Sequence, residues 1–347
     1  MKEKIKGYKA FEKGLVCRGF QYEEGKTFEH KGQIVPCSTG LHFCENPLDV
    51  LNHYPLIDSR GELSEFAEVE ALGETKKVDD KSVTNQLRIS AKLDLPEYIN
   101  ESCEFLRVKC AEIAKVNSEN ESQLSTSEDD IKLVGSGDYS QWAASGHRNH
   151  LSSLGEGCQL AASGRNSQLV VSGDYSHLAA AGHFSQLAST GSNSYLAASG
   201  DDSRLAASGD DSQLATSGDY SLLAASGDDN RLAASGIYSQ LAATGNKAQL
   251  AASGNDSRLT ALGNNCMVVS SGDDNDLTLD GKDSVGAAIG LESRIRSKVG
   301  NWITLAEWKC SGERYVPVCV KSAQIDGKIL KEDTWYKLEN GEFVECS

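Results

Sequence analysis

From residue 136 to residue 290 the chain repeats one pattern of small, large and polar positions every nine residues. Glycine opens each period, from Gly137, Gly146 and Gly155 through to Gly281 and Gly290. A large apolar residue follows five positions later at Trp142, Leu151, Leu160 and Leu169, and onward to Val268 and Leu277. The consensus is G-D-x-S-x-L-A-A-S. A fixed period of this kind is the signature of a solenoid, in which each repeat buries its apolar face only against its neighbours. The third residue after glycine is Ser or a small replacement such as Asn149, Cys158, Ala248 or Cys266; the seventh is small again. The fourth accepts Gln141, His150, Tyr195, Arg204, Leu222 and Asp276, a variety that only solvent allows. This alternation over S-x-L-x-A predicts a short β-strand. The first two residues after glycine form a turn, where glycine is expected for its backbone freedom.

Nine residues do not close a coil, so two repeats per coil are expected, with strands stacking on two opposing parallel sheets. That gives about 18 residues per turn and roughly nine or ten coils at ~4.8 Å each, about 45 Å in all. Three-sided coils are the alternative. The period begins before its glycines, at S-Q-L-S-T-S (122–127), and outlasts them to Ile295. The sixth position points outward on this scheme, yet it is Ala in most repeats. Either the strand flattens so that this residue also turns inward, or one Ala-rich sheet face docks on a second copy or on another protein.

Both flanks lack the period. GYKAF, CRGFQY and KTFEH read as short strands, and STGLHFCENPLDVLNHYP as a strand, a turn and a short helix carrying Leu48, Leu51 and Tyr54. EFAEVEAL (65–72) alternates as a half-buried strand does, and Asn85 to Leu95 continues in extended style. Pro96 then opens a helix to about Lys115, with Ile99, Cys103, Leu106, Cys110 and Ile113 on one stripe. After the repeats, WITLAEW, RYVPVCVKSAQID and TWYKLENGEFVEC are β-rich, with turns at Gly312, Asp326-Gly327 and Asn340-Gly341. Trp302, Trp308 and Trp335 are expected to form the core of an antiparallel unit that covers the last coil. The fold class is therefore mainly β. An N-terminal α+β domain (1–95) and a linking helix (96–118) lead into a nonapeptide parallel β-solenoid (119–298) and a small C-terminal β cap (299–347).

Charge narrows the function. Among 347 residues the formal net charge is −16, which argues against direct nucleic-acid binding and suits a basic partner. No apolar run approaches the roughly 18 residues of a membrane span. The start, MKEKIKGYKAF, carries basic residues without an apolar signal core. A cytoplasmic protein whose ten cysteines are free thiols is expected.

Candidate chemistry is sparse. Cys17, Cys37, His42 and Cys44 lack the C-x2-C spacing of structural zinc sites, so buried thiols and a surface histidine are expected. Calcium-binding rolls place aspartate two residues before the apolar knob; here Ser203 and Ser212 hold that slot. No metal and no cofactor are expected. The turns are richer. With two repeats per coil, one edge carries Asp201, Asp202, Asp219, Asp273 and Asp274, and the other carries Asp210, Asp211, Asp228 and Asp229. The early turns hold His147, Arg148, Arg165 and His183 instead. Rows of carboxylates can occupy a nucleic-acid-binding surface in place of its ligand, by Coulombic complementarity; equally, they are a solvated edge that keeps solenoids from aggregating. Tyr175, Tyr220 and Tyr238 at the second turn position suit a contact surface.

Two resemblances add to this. G-L-H-F-C (40–44), the helix ending at Tyr54 and the strand EVEALG are similar to the glycine–aromatic strand, helix and acidic strand of the ADP-ribosyltransferase superfamily. That resemblance implies roles for Arg18, Tyr54 and Glu68 or Glu70 in an enzyme, or a catalytically inactive relative used as an adaptor. Over nearly its full length, the chain resembles uncharacterised bacteriophage and prophage-associated proteins. The residues that carry this are CRGFQYEEGKTFEHKGQIVPCSTGLHFCENPLDVLNHYP, the SGDYSQLAAS-type array, and WITLAEW…YVPVCVK…DTWYKLENGEFVE. It implies a role in the cytoplasm of an infected or lysogenic cell. The expected function is a non-enzymatic binding protein that engages a host or defence-system protein; an ADP-ribosyl-transferring enzyme with a targeting arm and a virion component are the alternatives.

Overall fold

The computed structural model describes residues 4–111 and 115–346. The chain divides into two compact units at Lys109 and Cys110.

In the first unit β1 (Ile5–Phe11), β2 (Val16–Cys17), β3 (Phe20–Gln21), β4 (Thr27–Glu29) and β5 (Leu41–Phe43) precede the 3-10 helix Pro47–Asn52. Then come β6 (Glu65–Ala71), β7 (Thr75–Val78), β8 (Lys81–Thr84), β9 (Gln86–Leu93) and helix α1 (Leu95–Ala111). One antiparallel sheet runs β1-β6-β9-β4 and a smaller one β5-β8-β7. Cross-strand pairing of Lys6 with Glu70, Tyr8 with Glu68 and Ala10 with Phe66 gives the larger sheet two distinct faces. One carries Lys6, Tyr8, Phe66, Glu68 and Glu70. The other carries Lys9 and the core residues Phe11, Ala67, Val69 and Ala71, over Tyr22 and Phe43.

Helix α1 closes the first of these faces, and its start is written in a reciprocal cap. Asp94 Oδ1 accepts the Glu97 N–H at 2.8 Å, and Glu97 Oε2 accepts the Asp94 N–H at 2.9 Å. Tyr98 stacks on Phe66 with centroids 3.9 Å apart and donates its hydroxyl to Pro47 O. Tyr8 and Lys6 both reach Glu101. Ile99, Cys103 and Leu106 are buried as the stripe requires, while the Cys110 side chain and Ile113 lie outside the described residues. The helix packs on the N-terminal unit as far as Lys109, and strand resumes at Lys115–Asn117.

The second unit is the solenoid with its cap. Each repeat supplies a four-residue strand that pairs in parallel with the strand 18 residues on, as in Leu205 with Leu223 and Ala207 with Ala225. Alternate strands build two sheets, so the coil has two sides and two repeats. Positions three, five and seven are inside: Ser203, Leu205 and Ala207 are all buried, and the knobs form one continuous core. Where Gly286 vacates a knob, Leu279 fills the space from the usually small seventh position.

Two expectations for the repeat need correction. The repeat glycines do not hold the left-handed backbone; the second turn residue does, with φ near +55° at Asp202, Asp211, Tyr220 and Asp229. What glycine provides is space. A Cβ on Gly236 would fall inside van der Waals contact of the Gly218 carbonyl, and the same overlap recurs coil after coil. The sixth position resolves differently on the two sheets. It is exposed at Ala161, Ala179, Ala197 and Ala215 on one sheet, and buried at Ala188, Ala206, Ala224 and Ala242 on the other.

At the C-terminal end each sheet is extended by a hairpin. Trp302–Ser311 continues one sheet in parallel and turns back as Arg314–Gln324; Trp335–Glu339 joins the other antiparallel and turns at Asn340-Gly341 into Glu342–Cys346. Asp326-Gly327 is not a hairpin turn: the Asp326 carboxylate accepts the N–H groups of Lys328, Ile329 and Leu330. Ile325, Leu330, Tyr336 and Leu338 join the solenoid core. Of the tryptophans expected in that core, only Trp335 is buried; Trp302 is 50% exposed and Trp308 is half-buried.

Candidate functional site: acidic edges and a basic pocket

The turn aspartates fall into two classes that the repeat alone does not distinguish. At the first turn position Oδ1 accepts the backbone N–H of the equivalent residue one coil on. Asp201 receives Asp219, Asp210 receives Asp228, Asp219 receives Ile237, Asp228 receives Asn246 and Asp273 receives Leu291, all at 2.7–2.9 Å. The role needs an acceptor and not a charge: Asn246, Asn255, Asn264, and His147 and His183 through Nδ1, fill it elsewhere. At the second turn position Asp202, Asp211, Asp229 and Asp274 occupy the left-handed region, which Asp and Asn tolerate better than other side-chain-bearing residues. Burial, and then the neighbouring Asp256, Asp273, Glu292 and Asp276, push the Asp274 carboxyl above its usual range. Burial likewise raises Asp202. Asp229 is paired with Lys247 at 3.3 Å, and the early Arg148 is held by a two-pronged bond to Asp130.

The tyrosines divide between edges. Tyr220 and Tyr238 stack with centroids 5.0 Å apart and stand exposed in the same row as Asp202 and Asp274. Tyr175 is exposed on the opposite edge, in the row of Asp211 and Asp229.

In the N-terminal unit the four residues assigned to ADP-ribosyl transfer do not converge. Arg18 and Tyr54 line one pocket. Glu68 and Glu70 lie on the other face of the sheet, where Lys6 pairs with Glu68 at 2.9 Å and Lys4 and Arg88 with Glu70. The pocket itself, about 300 Å³, was not legible as a site. Its floor is Lys9, which the strand alternation of β1 places on the core face at 3% exposure. Nζ donates to His42 O at 3.1 Å and to Tyr54 Oη at 3.3 Å, and lies over the rings of Phe11, Tyr22 and Tyr54. Burial lowers the Lys9 pKa, against an opposing hydrogen bond with Cys17, and Lys81 lowers it further. Burial, then Lys81, Lys9 and Arg18, push His42 down to about 4, so its imidazole is neutral at neutral pH; Nε2 is buried without a hydrogen-bond partner. Cys17 and Cys37 line this pocket and Cys44 is buried, and no group of three ligating side chains among the described residues is placed to hold a metal. Among the described residues nine cysteines are free thiols.

Residues 5–101 match a family described as a domain of unknown function, DUF7666. The DUF7666 match covers every strand of the N-terminal sheets and the first turns of α1, and so contains the whole basic pocket. No curated protein and no solved structure matches the chain. No helix among the described residues is long and apolar enough to cross a membrane.

Proposed function

We propose that the protein is a non-enzymatic binding protein whose solenoid edges engage a protein with a basic surface. The observation that carries this reading is the pair of carboxylate rows on turns tied coil to coil by backbone hydrogen bonds, such as Asp202 N–H to Asp219 O and Asp211 N–H to Asp228 O. Charges fixed in that way lose little freedom on binding and set both encounter rate and register. The resemblance to phage and prophage-associated proteins supports a host or defence-system protein as the partner, met in the bacterial cytoplasm. Carboxylates recurring along both edges between Asp201 and Asp274 support a nucleic-acid-binding surface as the surface engaged.

The test is capture of the tagged full-length protein's partner from lysate of a phage-susceptible bacterium, with double-stranded DNA as competitor. A partner retained at low salt, released at high salt and displaced by DNA is expected. Retention that ignores both salt and DNA would overturn the reading.

A further inference from the structure

The pocket in the DUF7666 domain has the makings of a second, independent binding site. Three lysine and arginine side chains from separate parts of the chain line it, Lys9 on β1, Arg18 after β2 and Lys81 on β8, together with His30 and His42. The one carboxylate in the lining is Glu29, which already accepts Gln86 Nε2 at 2.8 Å. Lys9 carries its amine into an almost fully buried position, where its partners are a carbonyl, a phenol, the Cys17 thiol and aromatic faces, with no carboxylate among the described residues. A buried lysine of this kind reduces stability unless a counter-charge arrives. The chain does not avoid the cost with an apolar residue at position 9. It also leaves His42 Nε2 buried and unpaired in the same pocket lining. At the mouth Phe20 is 50% exposed and is held edge-on by Tyr22 and Phe28, a fixed apolar wall beside the cations.

We propose that this pocket binds a small organic oxyanion, a carboxylate or a phosphate monoester, with the charged group against Lys9, Lys81 and Arg18 and the apolar body on Phe20. The anion provides the counter-charge that Lys9 lacks, so binding and protonation of Lys9 favour each other.

The probes are benzoate, phenyl phosphate and inorganic phosphate, titrated into the full-length protein by ligand-observed NMR and calorimetry. Saturable binding of benzoate or phenyl phosphate is expected, and which of the two binds more tightly identifies the charged group. Lys9→Met should weaken it about tenfold or more, the scale of one lost charge-assisted contact. The same variant should melt higher than the parent, because it removes an uncompensated buried charge. Arg18→Met/Lys81→Met, both nearer the pocket mouth, gives a second reading that does not depend on the core tolerating a change at Lys9; it should weaken binding as well. Phe20→Ala should weaken phenyl phosphate more than inorganic phosphate. The proposal is overturned if no probe saturates, or if affinity is unchanged in both the Lys9 and the Arg18/Lys81 variants.

Discussion

At the residue scale, the repeat glycine and the first turn residue each do a job that the consensus conceals. Gly236 lies against the Gly218 carbonyl of the preceding coil, so Gly236→Ala should separate the two coils locally and cost on the order of 1–3 kcal/mol, the range for overpacking. Chemical denaturation of the full chain measures this; an unchanged midpoint would show that the stack has slack. Asp228 distinguishes acceptor from charge. Asp228→Ala strands the Asn246 N–H and should cost about 1 kcal/mol, whereas Asp228→Asn keeps an oxygen in place and should be neutral or slightly stabilising. Equal losses in both variants would mean that the carboxylate charge itself holds the turn.

At the element scale, the sequence made the solenoid plain and the N-terminal pocket invisible, for a physical reason. A stacked coil repeats its environment every 18 residues, so each slot declares itself through what it tolerates: Ser at 203, Leu at 205 and Ala at 207 are one statement made many times. A pocket assembled once, from β1, the loop after β2, β5 and β8, has no second copy to be compared with. Nothing in GYKAF singles out Lys9, and its place on the core face is evident only when β1 is paired with β6. The same reasoning explains α1. Its stripe of Ile99, Cys103 and Leu106 was legible, but the partners that make it part of the N-terminal unit, Phe66 and Pro47, are distant in sequence. The tryptophans misled because size suggests a core, while Trp302 sits at an outward position of a strand that continues the solenoid register.

At the scale of the whole molecule, charge should make the N-terminal sheet and the middle coils of the solenoid respond oppositely to acid. Burial opposes ionisation of Glu65, but bonds from Lys92 and from the N–H groups of Leu15 and Gly14 together hold its carboxyl below the usual range. Glu101 is held low in the same way, burial being outweighed by Tyr8 and Lys6. A carboxyl lowered in the folded state contributes stability above its unfolded pKa and loses it as pH falls through the folded value. Asp202 and Asp274 are raised, so their ionisation costs stability at neutral pH, and that cost disappears as pH falls through their folded values. Hydrogen exchange during mild acidification should therefore show the N-terminal sheet loosening before the coils of residues 190–280. Loosening in the reverse order would contradict this assignment of carboxylates.

The central functional claim is that the exposed rows of the solenoid bind through their charge. Asn166, Asn193 and Asn265 already occupy the second turn position with the same backbone, so Asp202, Asp211, Asp229 and Asp274 can all become Asn without changing the fold. The most direct measurement is the affinity of the captured partner for the parent and for this fourfold variant across a salt series. The account predicts weaker binding and a flatter dependence on salt in the variant, with an unchanged melting temperature or a higher one. Identical affinity and identical salt dependence in the two proteins would contradict it.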